Sequence, residues 1–556
     1  MLSRRKFLQT SAVAGTALGL GFTNPLQAKV RGASSFDILI KNGLIYTGDG
    51  RAPIAGDLGI KDGKIAAIGN LGNEADQVVD AAGRAVSPGF IDIHSHTDTN
   101  LFTFPAGDSK LFQGVTTDVG GSCGGSPFPY SDAEFARQKE QLRFGYPFWQ
   151  HIDGFYNALE KNRIGINYAS FTGQGQLRSM VVGDNAVTAT PAQIKQMKDL
   201  LAKQMEMGSI GMSSGLIYTP GAYASNDEVA TLCEVVADYN GLFSIHIRNE
   251  GDQVEESLRD TIDMARRSGV RVQISHLKTM YAHNWHKMPA LLKMIDDAVA
   301  SGIDVAFDRY PYIASSTGLS GFVPLQERQG SREEIIARLK DPLKQKEIAR
   351  YSASQVEKMG GPQNVLIVSS RMEENLKYVG KNLQECSILS GLEVHEFIRQ
   401  ILITENMNVS YIGFSMSEEN LRLLYTHPLS MPGSDGSVNA PRTSSNSLPH
   451  PRSYGTFTRY LGTYVRELKV VNLQTAIYRM CALPASRLRL KDRGLLIPGY
   501  RADVVVFNPE TVCELSTYAK PHQFNKGIEH VFVNGVWTVK NEQHTGALAG
   551  SVVRLS

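Results

Sequence analysis

The apolar pattern along the chain changes period twice. From Phe36 to about Ala85, short runs alternate apolar and polar residues between turns, as in Asp37-Ile38-Leu39-Ile40-Lys41 before Asn42-Gly43 and Leu58-Gly59-Ile60-Lys61 before Asp62-Gly63. Alternation bounded by Asn-Gly and Asp-Gly predicts β-hairpins. The same texture returns in Val504-Val505-Val506-Phe507 and in Ile528–Val533, which runs into Asn534-Gly535. Two strand-rich ends predict one small β-sandwich domain built from both termini, residues 36–86 and 491–556. The middle, 87–490, alternates strand-like apolar runs with helical stretches, the mark of parallel βα units. The candidates are Phe90–His94, Val115–Gly120, Ile166–Phe171, Ser209–Ser213, Leu242–His246, Val270–Ser275, Ile303–Phe307 and Leu429–Ser434. Eight such units predict an α/β fold, a TIM-like (β/α)8 barrel. The long, charged, largely helical stretch between the last two candidates predicts an insertion at about 325–408 that covers one face.

Composition narrows the field. Of 556 residues 42% are hydrophobic and 20% charged, ordinary globular values that exclude collagen, coiled coil and disorder. The formal charge is +2; without residues 1–28, which hold Arg4, Arg5 and Lys6 and no acid, 54 basic residues face 55 acidic ones, giving −1. Neither value implies a nucleic-acid partner. The N-terminus reads Ser3-Arg4-Arg5-Lys6-Phe7-Leu8-Gln9, then a small-residue apolar run to Phe22, then Leu26-Gln27-Ala28. A basic segment, a short apolar segment and a small residue at a cut site form an export signal, and the arginine pair resembles the twin-arginine type. The run falls short of the ~20 apolar residues that span a bilayer. The expectation is a twin-arginine translocase partner during export, cleavage after Ala28, no stable membrane association afterwards and a periplasmic or secreted location.

Candidate chemistry gathers where the predicted strands end. Phe90-Ile91-Asp92-Ile93-His94-Ser95-His96 closes on two histidines one residue apart, which extended backbone turns to one side. Leu242–His246 ends in a histidine, and Val270–Ser275 runs into His276. Cys123 sits in the turn Gly120-Gly121-Ser122-Cys123-Gly124-Gly125, where a core thiol has little to pack against, and Asp435 follows the eighth candidate. Any one of these is compatible with a structural histidine, a buried thiol or a turn aspartate. Together they describe His/Cys ligation with an open position, as in a catalytic zinc site.

These motifs resemble a family. Gly89-Phe90-Ile91-Asp92-Ile93-His94-Ser95-His96, the divided β domain and Pro498-Gly499-x-x-Ala502-Asp503 resemble the amidohydrolase superfamily of metal-dependent barrels. Ser122-Cys123-Gly124, His246-Ile247-Arg248-Asn249-Glu250, His276-Leu277-Lys278, Tyr310-Pro311-Tyr312, Ser434-Asp435-Gly436 and His450-Pro451-Arg452 resemble its N-acyl-D-amino-acid deacylases, or D-aminoacylases. The resemblance implies a tight Zn2+ held by Cys123, His246 and His276, and a neighbouring site of weak or no occupancy at His94, His96 and Asp435. It further implies Asp435 as the catalytic base and Lys278, Tyr310 and Arg452 as holders of the carboxylate of a small-molecule substrate, an N-acyl-D-amino acid or a dipeptide ending in a D-residue. Arg248 and Glu250, just past a ligand, read as supporting residues. Ser122 stands where the family has asparagine, and Ser437–Pro449 is longer than its counterpart.

Two rivals are a cyclic-amide hydrolase of the hydantoinase or dihydroorotase kind and a barrel that has lost its chemistry. The first requires a lysine at the fourth strand end, which reads Ser209-Ile210-Gly211-Met212-Ser213-Ser214-Gly215; the second requires broken ligands, and all six are present. The loop after the seventh candidate holds Leu319, Phe322 and Val323 and no cation before Arg328, which predicts a preference for neutral, hydrophobic D-residues. The export reading has a direct check: replacing Arg4 and Arg5 together by lysine leaves the precursor inside the cell, and normal export of that variant assigns the chain to the general secretory route.

Overall fold

Parallel strands closed into a barrel position the whole site. Phe90–Asp92, Val115–Gly120 and Asn167–Ser170 are hydrogen-bonded in that order; just past Phe171, Thr172–Gly173 pairs with Gly211–Gly215, which continues to Leu242–His246, Arg271–Ile274, Val305–Arg309 and Ser430–Pro432. All eight candidates therefore fall on barrel strands. Closure between eighth and first runs through candidate ligands: Asp435 N–H donates to the His94 carbonyl (2.8 Å) and His96 N–H to the Gly436 carbonyl (3.0 Å). The chain is a computed structural model that describes residues 36–140, 147–441 and 447–555; the export signal at 1–28 lies outside them. No helix among the described residues is long and apolar enough to cross a membrane.

The strands are buried on both faces, as parallel strands under helices must be. The helix Val254–Ser268 shows why the cover forms. Val254, Leu258, Thr261, Ile262 and Ala265 make one buried stripe, Glu255 and Glu256 open the first turn, Arg266 and Arg267 close the last, and Gly269 ends it at φ 71°. Ile91, Val119, Ala169, Ala306 and Met431, from five different barrel strands, share one apolar cluster.

Strands from both termini join in one nine-stranded sheet, where Val504–Phe507 pairs with Ala85–Pro88. The sheet forks at Phe36–Ile45, one edge of which takes Ala75–Asp80 and then Ala85–Pro88. The segment between barrel strands seven and eight departs from the helical insertion expected. It carries its own antiparallel sheet, Ala314–Gly318, Ser410–Phe414 and Val365–Ile367, with Ser410–Phe414 central. Each strand is short and its partner lies tens of residues away, so periodicity alone shows nothing but helices and loops. Helices including Pro342–Lys358 and Val394–Thr404 pack beside it in a separate apolar core.

Candidate metal centre

The thiol is set by a forced turn. Cys123 lies at φ 52°, in the left-handed region, and a Cβ on the preceding Gly121 would stand 2.2 Å from the Phe171 carbonyl oxygen. Asp98 Oδ1 accepts Gly121 N–H (2.8 Å), and Ser213 Oγ, from the fourth strand, accepts Gly124 N–H (2.9 Å) while donating to the Gly121 carbonyl. The strand end that lacks a lysine is thus the post that holds the cysteine turn.

Three imidazoles converge on that sulfur. Cys123 Sγ is 3.4 Å from His94 Nε2, 3.8 Å from His246 Nδ1 and 3.7 Å from His276 Nε2. Each ring is held from behind. Asp308 Oδ1 takes His94 Nδ1 at 2.9 Å and also accepts the backbone N–H of His276 (2.8 Å); Glu250 lies 3.3 Å from His246 Nε2 and 3.0 Å from His276 Nδ1. Carboxylates in these positions fix ring orientation and raise ligand basicity. Asp435 completes the mouth: Oδ1 is 2.9 Å from His96 Nε2 and 3.5 Å from His94 Nε2, and Oδ2 is 2.8 Å from Arg452 Nη1.

The donor atoms form two groups that share one sulfur, Cys123 with His246 and His276, and His94, His96, Cys123 and Asp435, each with its atoms within 4.8 Å of one another. The first group fits a zinc ion. Tetrahedral bonds of about 2.3 Å to sulfur and about 2.05 Å to nitrogen place the two donors about 3.6 Å apart, and the spacings here are 3.8 and 3.7 Å.

Charge in the mouth is already sorted for a cation. Burial pushes the Cys123 thiol up, but the His94 charge and hydrogen bonds from His246 and His276 outweigh it and hold the thiol well below its usual range. Burial likewise pushes Asp435 up, and Arg452, His276 and the bond from His96 win, so the carboxyl is ionised at neutral pH. Burial pushes His246 down, and Glu250 with Cys123 raises it to about 9. A metal has to displace that proton, so loading releases protons and gains affinity as pH rises towards about 9.

The mouth opens into a cleft of two lobes. One, of about 750 Å3, lies on the side of His96, Cys123, Asp435 and Arg452; the other, of about 520 Å3, lies on the side of His246, His276, Lys278 and Tyr310 and shares Asp435 with it. Tyr218, whose hydroxyl bonds Thr317 Oγ1 across the seam (3.2 Å), lines both. Tyr310 offers a buried hydroxyl with no partner among the described residues, and its ring lies 4.7 Å from the Arg452 guanidinium. Lys278 differs from the expectation of a free carboxylate anchor: its ammonium is engaged by Glu250 and stands 2.7 Å from His276 Nδ1.

Two positions correct the reading of the loop after the seventh strand. Leu319 and Val323 turn into the insertion core and do not line the cleft; of the three apolar residues only Phe322 reaches it. Arg328, where the cation-free stretch ended, lines both lobes; its Nε is buried without a hydrogen-bond partner, and no carboxylate among the described residues pairs with it. Asp308 is the supporting residue that the sequence reading missed. Its one signal is a carboxylate at the close of Val305–Arg309, a barrel strand.

A barrel whose mouth gathers a thiolate, imidazoles and an ionised carboxylate defines a metal-dependent hydrolase. Comparison with known proteins specifies the branch. The model of the amidohydrolase family matches residues 77–539. The chain is 36% identical over 502 residues to an N-acyl-D-glutamate deacylase of Alcaligenes xylosoxydans xylosoxydans, covering 90% of this chain and 93% of that one. It is 32% identical over 521 residues to a D-aminoacylase of the same organism, covering 93% and 97%. The crystal structure of N-acyl-D-glutamate deacylase from Bordetella bronchiseptica, complexed with zinc and a phosphonate inhibitor, superposes with a TM-score of 0.80 at 34% identity over 94% of this chain and all of that one. This chain belongs to the D-aminoacylase branch of the amidohydrolase family, enzymes that act on amide C–N bonds.

The shared sulfur generates a prediction. Cys123→Ala purifies with little or no tightly bound metal by elemental analysis, whereas His96→Ala, which removes a half-exposed donor of the second group only, retains it. Full metal content in the cysteine variant contradicts the assignment.

Proposed function

We propose that this protein is a zinc-dependent deacylase of N-acyl-D-amino acids that prefers residues with an acidic side chain. The observation that carries the side-chain preference is Arg328, a guanidinium facing the cleft with no counter-ion among the described residues. Leaving a charge partly buried and unpaired costs several kcal/mol in effective terms, and a substrate carboxylate removes that cost. The expectation of a hydrophobic preference rested on the cation-free stretch before Arg328 and on the apolar surface of Leu319, Phe322 and Val323; it gives way here because Arg328 itself lines the cleft and only Phe322 of the three reaches it. The N-acyl-D-glutamate deacylases among the relatives support the same direction.

Zinc held by Cys123, His246 and His276 would supply Lewis acidity to the scissile carbonyl and the attacking water. The soft thiolate favours it over magnesium or calcium, and the second donor group would take a further ion weakly. Asp435, ionised, buried and itself a member of the second donor group, takes a proton from the attacking water and returns it to the departing nitrogen. The water oxygen bonds to the carbonyl carbon as the C–N bond breaks, giving a carboxylate and a free amino acid. Arg452 and the Tyr310 hydroxyl hold the substrate's α-carboxylate, with Lys278 at the edge of that site. Three fixed points, the scissile carbonyl, the α-carboxylate and the side chain at Arg328, admit one enantiomer, and the names of the relatives support the D-form. Arg4 and Arg5 support export by the twin-arginine route to the periplasm or beyond.

The test compares kcat/KM for the N-acetyl derivatives of D-glutamate, L-glutamate and D-leucine. D-glutamate is the best substrate and its L-enantiomer is not turned over. A charge-assisted hydrogen bond contributes about 1.5–3 kcal/mol, so Arg328→Met lowers kcat/KM for D-glutamate by roughly 10- to 100-fold and leaves D-leucine nearly unchanged. A wild-type preference for D-leucine, or a glutamate rate indifferent to Arg328, contradicts the side-chain assignment; turnover of the L-compound contradicts the D-selectivity.

A further inference from the structure

We propose that Arg309 is a positioning residue for substrate binding: from against the Tyr310 ring it supplies the unbalanced positive charge that the substrate's α-carboxylate meets through the Tyr310 hydroxyl. The inference rests on the deacylase reading above and deepens it by one residue that lines neither lobe of the cleft.

The three groups that hold the α-carboxylate bring little net charge of their own. Arg452 is paired with Asp435, Nη1 to Oδ2 at 2.8 Å, and Lys278 is paired with Glu250. Each of these cations is offset by a carboxylate, and the third holder, Tyr310, is a hydroxyl. Arg309 has no such counterweight. It closes the seventh barrel strand and is only 1% exposed. Its Nη2 donates to the Tyr312 carbonyl (2.8 Å) and stands 2.9 Å from Met416 Sδ, while Nε and Nη1 are buried with no hydrogen-bond partner among the described residues. Those contacts are to neutral atoms. A buried charge without an opposite charge is costly, and a well-packed apolar side chain of the same length avoids the cost.

What the guanidinium does touch is the ring of the next residue. Its central carbon stands 4.0 Å from the Tyr310 ring centroid, closer than the 4.7 Å of Arg452 or the 5.9 Å of the Lys278 ammonium. A cation over a phenol ring is attracted to the π electrons, fixes the ring plane and draws electron density away from the oxygen, which makes the O–H a stronger donor. In an interior poor in water that field is weakly screened. The Tyr310 hydroxyl is itself buried and has no partner among the described residues, and Tyr310 lines the smaller lobe. An anion that accepts from this hydroxyl therefore gains both a strengthened hydrogen bond and the attraction of a charge that nothing else neutralises. Arg309 acts on substrate through Tyr310 and not by contact.

A purely structural role and this one predict opposite results for Arg309→Met, which keeps the length of the side chain and removes its charge. The experiment measures kcat and KM for N-acetyl-D-glutamate and N-acetyl-D-leucine, with zinc content and thermal midpoint on the same preparations. KM rises roughly tenfold for both compounds, because both carry the α-carboxylate, and kcat changes little, as expected when binding common to ground and transition states is lost. Zinc is retained, and the midpoint equals or exceeds that of wild type, because the variant relieves a buried unpaired charge. Arg309→Lys, which restores a cation, brings KM most of the way back. In a Tyr310→Phe background Arg309→Met adds little, since the hydroxyl through which it acts is gone. An unchanged KM in Arg309→Met, a rise confined to the glutamate compound, an undiminished effect in the Tyr310→Phe background, no recovery in Arg309→Lys, or a methionine variant that fails to fold or loses its zinc overturns the proposal and leaves the deacylase reading standing. Failure of the wild-type protein to hydrolyse either compound overturns both.

Discussion

Everything at the barrel mouth depends on imidazoles being held from behind so that their free nitrogens face one sulfur. Asp308 does this for His94, and Glu250 for His246 and His276 together. Without those carboxylates the rings could rotate, and spacings of 3.4 to 3.8 Å around Cys123 would have no cause. The arrangement stores strain. Cys123, His276 and Asp435 all sit at positive φ, between 38° and 52°, at a cost of order 1–3 kcal/mol each. What offsets it is backbone anchoring: Asp98 and Ser213 for the cysteine turn, Asp308 for His276, and the His94 carbonyl for Asp435. Beneath the aspartate turn, a fully buried Lys110 ammonium reaches Asp92 (2.6 Å), Ser434 (2.9 Å) and Asp118 (3.3 Å), clasping strands one, two and eight. Barrel closure and ligand placement are therefore the same set of bonds, and a bound metal stabilises the closed barrel by linkage.

The features that could be read from the sequence are those whose cause is local. Alternation and strand ends located His94, His96, His246 and His276, and a glycine-rich turn too bare to bury a thiol singled out Cys123. Strand alternation is a simplified account of why His94 and His96 lie together, because the regular strand stops at Asp92. Just past the strand, Ser95 N–H donates to the Val119 carbonyl, His96 N–H to that of Gly436, and Asp435 N–H to that of His94, which brings both histidines to Asp435. Features with distant causes stayed hidden. Asp308 acts on a ring 214 residues away, and the sheet of the insertion pairs Ala314–Gly318 with Ser410–Phe414. Arg328 was noticed only as the end of a cation-free stretch, since whether the loop before it faces substrate or the insertion core is decided by that same long-range sheet.

That sheet also builds the cleft. Its first strand brings the Ser316 carbonyl to Arg452 Nη2 (3.2 Å) and Thr317 to the Tyr218 hydroxyl, so the barrel supplies the chemistry and the insertion supplies the walls. The division of labour is the usual one for a barrel enzyme, in which loops at the strand ends set selectivity.

The central claim, that a thiolate-anchored metal and an ionised Asp435 act as separate parts of one amide hydrolase, has a direct measurement. Asp435→Asn, assayed in parallel for tightly bound zinc and for hydrolysis of its best N-acyl-D-amino acid, retains about one zinc per chain while kcat falls by a factor on the order of 10²–10⁴, the usual range for a lost general base. A variant that keeps its zinc and near-normal kcat contradicts the account.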